Sequence, residues 1–132
     1  MNIKENNKLV ADFMGMKLKK GNFWSKILGY ADEFIIINGK PKWSLSDIPY
    51  HKSWKWLMTV VEKIESIKDD YHGYFGVHIN SNNCTIQGTN FRSVKIDWNN
   101  PVLFMDFYGV TKIDATYKAV VGFIKWYNKN KV

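Results

Sequence analysis

The stretch that most constrains the fold lies near the C-terminal end. Ile113, Ala115, Tyr117, Ala119, Val120, Val121, Phe123, Ile124, Trp126 and Tyr127 are apolar or aromatic. At the helical spacing of about 100° per residue they cover roughly 240° of the wheel. Only a narrow wedge of Asp114, Lys118, Gly122, Lys125 and Lys129 is left for water. A helix so nearly apolar all round is either covered by two neighbours or forms half of a subunit interface. Its start is marked by a capping box, Thr111-Lys112-Ile113-Asp114, whose side chains can satisfy the first amide donors reciprocally. In a monomer the second cover is the N-terminal helix, with Leu9 and Phe13 against the last helix. In an oligomer it is the same helix of a partner. We favour the monomer, with a dimer as the alternative, because the N-terminal helix otherwise has no place to bury its apolar face.

That N-terminal helix is read over Asn7–Gly15, where Leu9, Val10 and Phe13 share a face and Gly15 suits the left-handed position that ends a helix. Phe34-Ile35-Ile36-Ile37 is a β-branched strand bounded by the turn signal Asn38-Gly39. Pro41 then limits whatever follows to an edge strand or a loop. Ser53 is placed to cap a second helix over Trp54–Ile67, whose apolar positions spread over an arc of roughly 200°. Phe75, Val77 and Ile79 alternate with Tyr74, Gly76 and His78, and Ser81-Asn82-Asn83 turns the chain into Cys84-Thr85-Ile86, a hairpin with one buried face. Val94, Ile96 and Trp98 alternate likewise. After Asn99-Asn100-Pro101, the run Val102–Tyr108 suits a strand covered on both faces. The expectation is a single α+β domain over residues 1–132, with a mostly antiparallel sheet of four to five strands packed by three helices.

The 132 residues suffice for one core, and 16% aromatic residues exclude a disordered chain. No apolar run reaches the roughly 18 residues of a membrane span. One cysteine, Cys84, excludes an intrachain disulfide and a cysteine-rich zinc site. No secretory-type apolar stretch opens Met1–Lys8, so the expected setting is a reducing cytoplasm. The net charge of +7 is unevenly spread. Residues 1–30 hold six Lys against Glu5 and Asp12, residues 112–132 hold five Lys against Asp114, and the middle is close to neutral. If the ends meet, the fold has one basic face, and Lys4, Lys8, Lys118, Lys125 and Lys129 are its candidate contacts for an acidic partner or RNA. A merely solvated surface is the plainer reading of the same lysines. Arg92 is the only arginine, which argues against bidentate recognition of bases.

Motifs of catalysis are not found. His51, His72 and His78 lack ligand spacing, and Asp69–Gly73 lacks the alternating acids of a calcium loop. Gly73, Gly76 and Gly88 fit no nucleotide-loop pattern. Cys84 reads as a small buried residue. The expectation is therefore no catalytic, metal or cofactor site, with a small enzyme whose pocket is assembled from distant residues kept as an alternative. Tyr50-His51-Lys52-Ser53-Trp54-Lys55-Trp56 interleaves aromatics with lysines, as single-strand binding surfaces do. Trp54 reads as a core plug at the helix start. Trp56 is nominated for surface work, and Tyr50 joins it as a candidate stacking group.

His51-Lys52-Ser53-Trp54-Lys55-Trp56-Leu57-Met58, followed by Val60-Val61-Glu62-Lys63-Ile64-Glu65, resembles a motif in small proteins of Bacteroidetes bacteria and their phages. Ala119–Asn128, Phe13-Met14-Gly15 and the Cys84-Thr85-Ile86 strand resemble the same group. It is similar to the phage proteins described as an alpha-beta-alpha sandwich domain. Lys55 stands where the group commonly has an acidic residue, and Thr59 where it has a proline. The resemblance implies a prophage or mobile-element product without a transferable activity. The expected function is a non-enzymatic accessory protein that binds and modulates a host protein or ribonucleoprotein, an anti-CRISPR-type inhibitor being one form. Direct binding of RNA or single-stranded nucleic acid is the alternative.

Overall fold

The computed structural model describes residues 2–20, 33–37, 40–69, 73–89 and 103–130. The chain divides into two compact units, Met1–Tyr50 and His51–Val132. Both are α+β.

In the first unit, α1 (Ile3–Phe13) begins four residues before the expected start. Asn2 is the reason: its side-chain oxygen accepts the Glu5 N–H at 3.1 Å and caps the first turn. Gly15 ends the helix at φ +75°, with Met16 N–H bonded to the Ala11 carbonyl and Gly15 N–H to that of Asp12. That pair of bonds is the left-handed stop expected of this glycine. The buried face, however, comprises Asn6, Asn7, Val10 and Ala11, while Leu9 and Phe13 are only half-buried. Strands β1 (Leu18–Lys20), β2 (Glu33–Ile37) and β3 (Lys40–Ser44) form an antiparallel sheet in that order. Pro41 sits on β3 at the sheet edge, as its missing N–H requires, and the β2–β3 register shifts between Ile35 and Ile36 beside it. The Asn38-Gly39 turn lies outside the described residues.

A 3₁₀ turn, Pro49–His51, carries the chain from the end of the first unit into the second, which begins with α2 (Trp54–Ser66). Ser53 occupies the cap position with extended backbone, but its side chain makes no capping bond. Strands β4 (Lys68–Asp69), β5 (Gly73–Ile79), β6 (Asn83–Thr89) and β7 (Leu103–Tyr108) then form a four-stranded antiparallel sheet in chain order. The described strands are thus shared between two sheets rather than gathered in one. The candidate strand Val94–Trp98 and Arg92 lie outside the described residues.

Helix α3 (Lys112–Asn130) packs on β6 and β7, and α2 packs on β5 and against α3. Within the second unit the apolar arc is thus covered by the sheet and by α2, a neighbour the sequence reading had not assigned, since it gave the second cover to the N-terminal helix or to a partner copy. Ala115, Tyr117, Ala119, Val120, Phe123 and Ile124 are buried at 0–1% exposure, as are Leu57, Val60 and Ile64 of α2. The capping box forms: Thr111 Oγ1 accepts the Asp114 N–H, and Asp114 Oδ2 accepts the Val110 N–H, one residue before the expected target.

One residue of the supposed polar wedge packs against the sheet. A Cβ on Gly122 would overlap the Phe107 ring of β7. The glycine is there because the ring is. Gly122→Ala should therefore destabilise by about 1–3 kcal/mol from overpacking, despite a helix-propensity gain of about 1 kcal/mol. Thermal melting of Gly122→Ala beside Gly122→Ala/Phe107→Leu checks this. The second change should relieve the clash.

Candidate functional site: the open face of the four-stranded sheet

Period-2 alternation sorts the side chains of this sheet. Phe75, Cys84, Ile86, Met105 and Phe107 share the face that α3 covers. The other face carries Tyr74, Gly76 and His78 of β5, Asn83, Thr85 and Gln87 of β6, and Asp106 and Tyr108 of β7. It is open to solvent at both ends: Tyr74 is 44% exposed and Tyr108 64%, and His78 is exposed. The expectation that β7 is covered on both faces is corrected by these residues. An apolar run hid the alternation because Asp106 is the only charge within it.

Asp106 organises one corner. Its Oδ1 accepts the Asn83 side-chain N–H at 3.0 Å and the Thr85 hydroxyl at 3.1 Å. The Asn83 amide above all, with the Tyr108 and Thr85 hydroxyls, holds the Asp106 carboxyl below its ordinary range against the opposing effect of desolvation. The same carboxylate pushes the Tyr108 phenol up. A carboxylate depressed on folding contributes stability above the ordinary Asp value of about 3.9, and this contribution is lost as pH falls through the folded value. Asp106→Asn should therefore flatten the acid limb of the stability profile, measured by urea unfolding across acidic pH.

At the opposite corner, Lys68 Nζ lies 5.8 Å from the Tyr74 ring centre, within cation–π range. Beneath the sheet, Cys84 is buried, and burial pushes its thiol up to about 11, partly opposed by a side-chain hydrogen bond with Thr116. At pH 8 a thiol with that pKa of about 11 is ionised in roughly one molecule per thousand. Iodoacetamide should therefore modify Cys84 only as fast as the unit opens. Rapid labelling in the absence of denaturant is the contrary result.

The residues nominated from sequence are placed as follows. Lys4 and Lys8 are exposed on α1 in the first unit. Lys125 and Lys129 are exposed on α3 in the second, and Lys118 pairs with Asp114 at 3.1 Å one helical turn away. Trp56 is half-buried. Tyr50 is corrected: it is fully buried, its hydroxyl lies 3.2 Å from Met16 Sδ, and its phenol is pushed up to about 12. A ring with no exposed surface cannot stack a base. Trp54, expected in the core, is instead 39% exposed, because Leu57, Val60, Val61 and Ile64 form the buried stripe of α2. Residues Tyr74, His78, Asp106 and Tyr108 escaped nomination, although the alternation of β5 already placed Tyr74 and His78 opposite the buried face.

Among the described residues, no group of three or more His, Cys, Asp or Glu side chains is placed to hold a metal ion. No helix among them is long and apolar enough to cross a membrane. No family model, curated protein or solved structure matches the chain. The likeness to the phage group accordingly rests on the residues quoted for it.

Proposed function

We propose that this is a non-enzymatic accessory protein that acts in the cytoplasm by binding and modulating a host protein or ribonucleoprotein, with the open face of the second unit as its contact surface. The phage resemblance makes an anti-defence inhibitor, of the anti-CRISPR type, the specific form of this reading. The observation that carries it is the pair of exposed tyrosines on one sheet face, Tyr74 and Tyr108, with Tyr108 bonded to Asp106. Tyrosine supplies large contact area with little rotamer freedom to lose, and it is enriched among the anchors of interfaces. A sheet packed by two helices presents those rings from a rigid platform. Preorganisation of this kind lowers the entropic cost of association.

The test is capture of partners from a bacterial host by the tagged protein and by its Tyr74→Ala/Tyr108→Ala variant, followed by mass spectrometry and reconstitution with the purified candidate. A complex that reassembles with the wild-type chain and not with the folded variant supports the proposal. Recovery of nothing specific, or equal binding by the variant, removes it.

A further inference from the structure

We infer that the open face binds single-stranded nucleic acid, bases stacking on Tyr74 and Tyr108 while the backbone passes Lys68 and Lys112. The inference rests on the reading of this face as the contact surface and names what it touches: the RNA of a ribonucleoprotein, or a free single strand. Tyr74 pairs with Thr89 and Tyr108 with Asn83, at the two ends of β6, so the rings stand at opposite corners of one face. Thr89 lies six positions after Asn83 on β6, and a strand rises about 3.4 Å per residue, so the corners are about 20 Å apart along it. An extended strand of nucleic acid can cross that diagonal. The Tyr74 corner is supplied with a lysine, and a second stands at the start of α3, close in sequence to Tyr108. Lys68 lies over the Tyr74 ring, and exposed Lys112 follows Tyr108 by four residues in the chain.

Between the corners the face offers the exposed His78 imidazole and the half-buried Gln87 amide, groups that both donate and accept toward base edges. The sequence of this unit as a whole is basic, which favours the approach of an anionic ligand. Residues 51–132 hold ten Lys and Arg92 against seven Asp and Glu, a net of +4. Asp106 is the carboxylate on the described face, and its bonds to Asn83, Thr85 and Tyr108 make it a brace for the ring rather than a free acceptor. A single strand is favoured over a duplex because exposed rings stack on unpaired bases. A chain with one arginine also lacks the usual reader of a duplex groove.

Fluorescence anisotropy of labelled oligouridine with the full chain tests this. Two phosphate contacts predict a slope of about −1.4 in log affinity against log salt, roughly a sevenfold weakening for a fourfold rise in salt. Tyr74→Ala and Tyr108→Ala are each expected to weaken binding by roughly tenfold or more, and Phe at either position to retain most of it. If an alanine variant unfolds, Lys68→Gln/Lys112→Gln leaves the rings in place and should flatten the salt dependence. No binding at low salt, tighter binding to the matching duplex, salt-independent affinity, or full affinity in a folded double-alanine variant overturns the inference. Absent oligonucleotide binding, with tyrosine-dependent capture of a protein persisting after ribonuclease treatment, overturns it while the broader reading stands.

Discussion

Phe123→Ala should remove about 3–5 kcal/mol of unfolding free energy, a large share of the roughly 5–15 kcal/mol that folded proteins possess. Phe123 has no exposed surface, and its ring centre lies 4.9 Å from that of Phe75 at an interplanar angle of 71°. Trp126 and Tyr127 stand 5.8 and 5.9 Å from the same ring, the second nearly parallel to it. Truncation therefore costs the transfer free energy of a phenyl ring and leaves a cavity between α3 and the sheet. It also removes edge-to-face and stacked contacts that each contribute about 0.5–1.5 kcal/mol in favourable cases. Phe123→Leu keeps most of the volume and should lose less than half as much. Urea unfolding monitored by near-ultraviolet circular dichroism reads both variants. Similar midpoints for alanine and wild type would mean that this aromatic cluster does not hold the second unit together.

How far the sequence carried this picture follows from which signals are periodic. The breadth of the α3 arc showed that the sheet alone could not cover it, but the reading named the N-terminal helix or a partner copy where α2 packs. The capping box, the Gly15 stop, the edge position of Pro41 and the β5–β6 hairpin were legible because each depends on a residue type with one strong backbone preference. Gly122 was misplaced because a helical wheel scores hydropathy and has no place for a ring arriving from β7. Tyr50 and Trp54 exchanged their expected roles for a related reason. Both are large amphipathic side chains near a helix start, and only tertiary packing decides which is enclosed. The open face was half legible. The alternation placed Tyr74 and His78 opposite the buried residues, but the Asn83–Thr85–Asp106–Tyr108 cluster is assembled across two strands 21 to 23 residues apart, beyond any local pattern.

Asn7 shows the same limit from the opposite direction, and its substitution is expected to be as costly as that of a core aromatic. An asparagine in the middle of a helix reads as a solvated residue, yet this one is fully buried. Its side-chain amide donates to the Leu45 carbonyl at 2.7 Å and the Ile48 carbonyl at 3.0 Å, tying α1 to the turn after β3. Asn7→Ala withdraws both bonds and leaves the Leu45 carbonyl short of a donor, at about 1–3 kcal/mol for the group orphaned, while the Ile48 carbonyl keeps the Tyr50 N–H and loses only its second bond. The total expected loss is about 2–4 kcal/mol, reduced where water reaches the carbonyls. Asn7→Asp should be worse, although it changes almost no volume. Its carboxylate brings acceptor oxygens against two carbonyl oxygens in a buried site, and a buried charge without a partner is far costlier than a missing bond. The ordering Asn > Ala > Asp in stability at neutral pH is the signature of a donor role. Lowering the pH should partly rescue the aspartate, since the protonated acid regains one donor. Amide exchange across α1 and residues 44–48, together with urea midpoints, measures it. If Asp and Ala were equally mild, the amide would be filling space rather than fastening the turn.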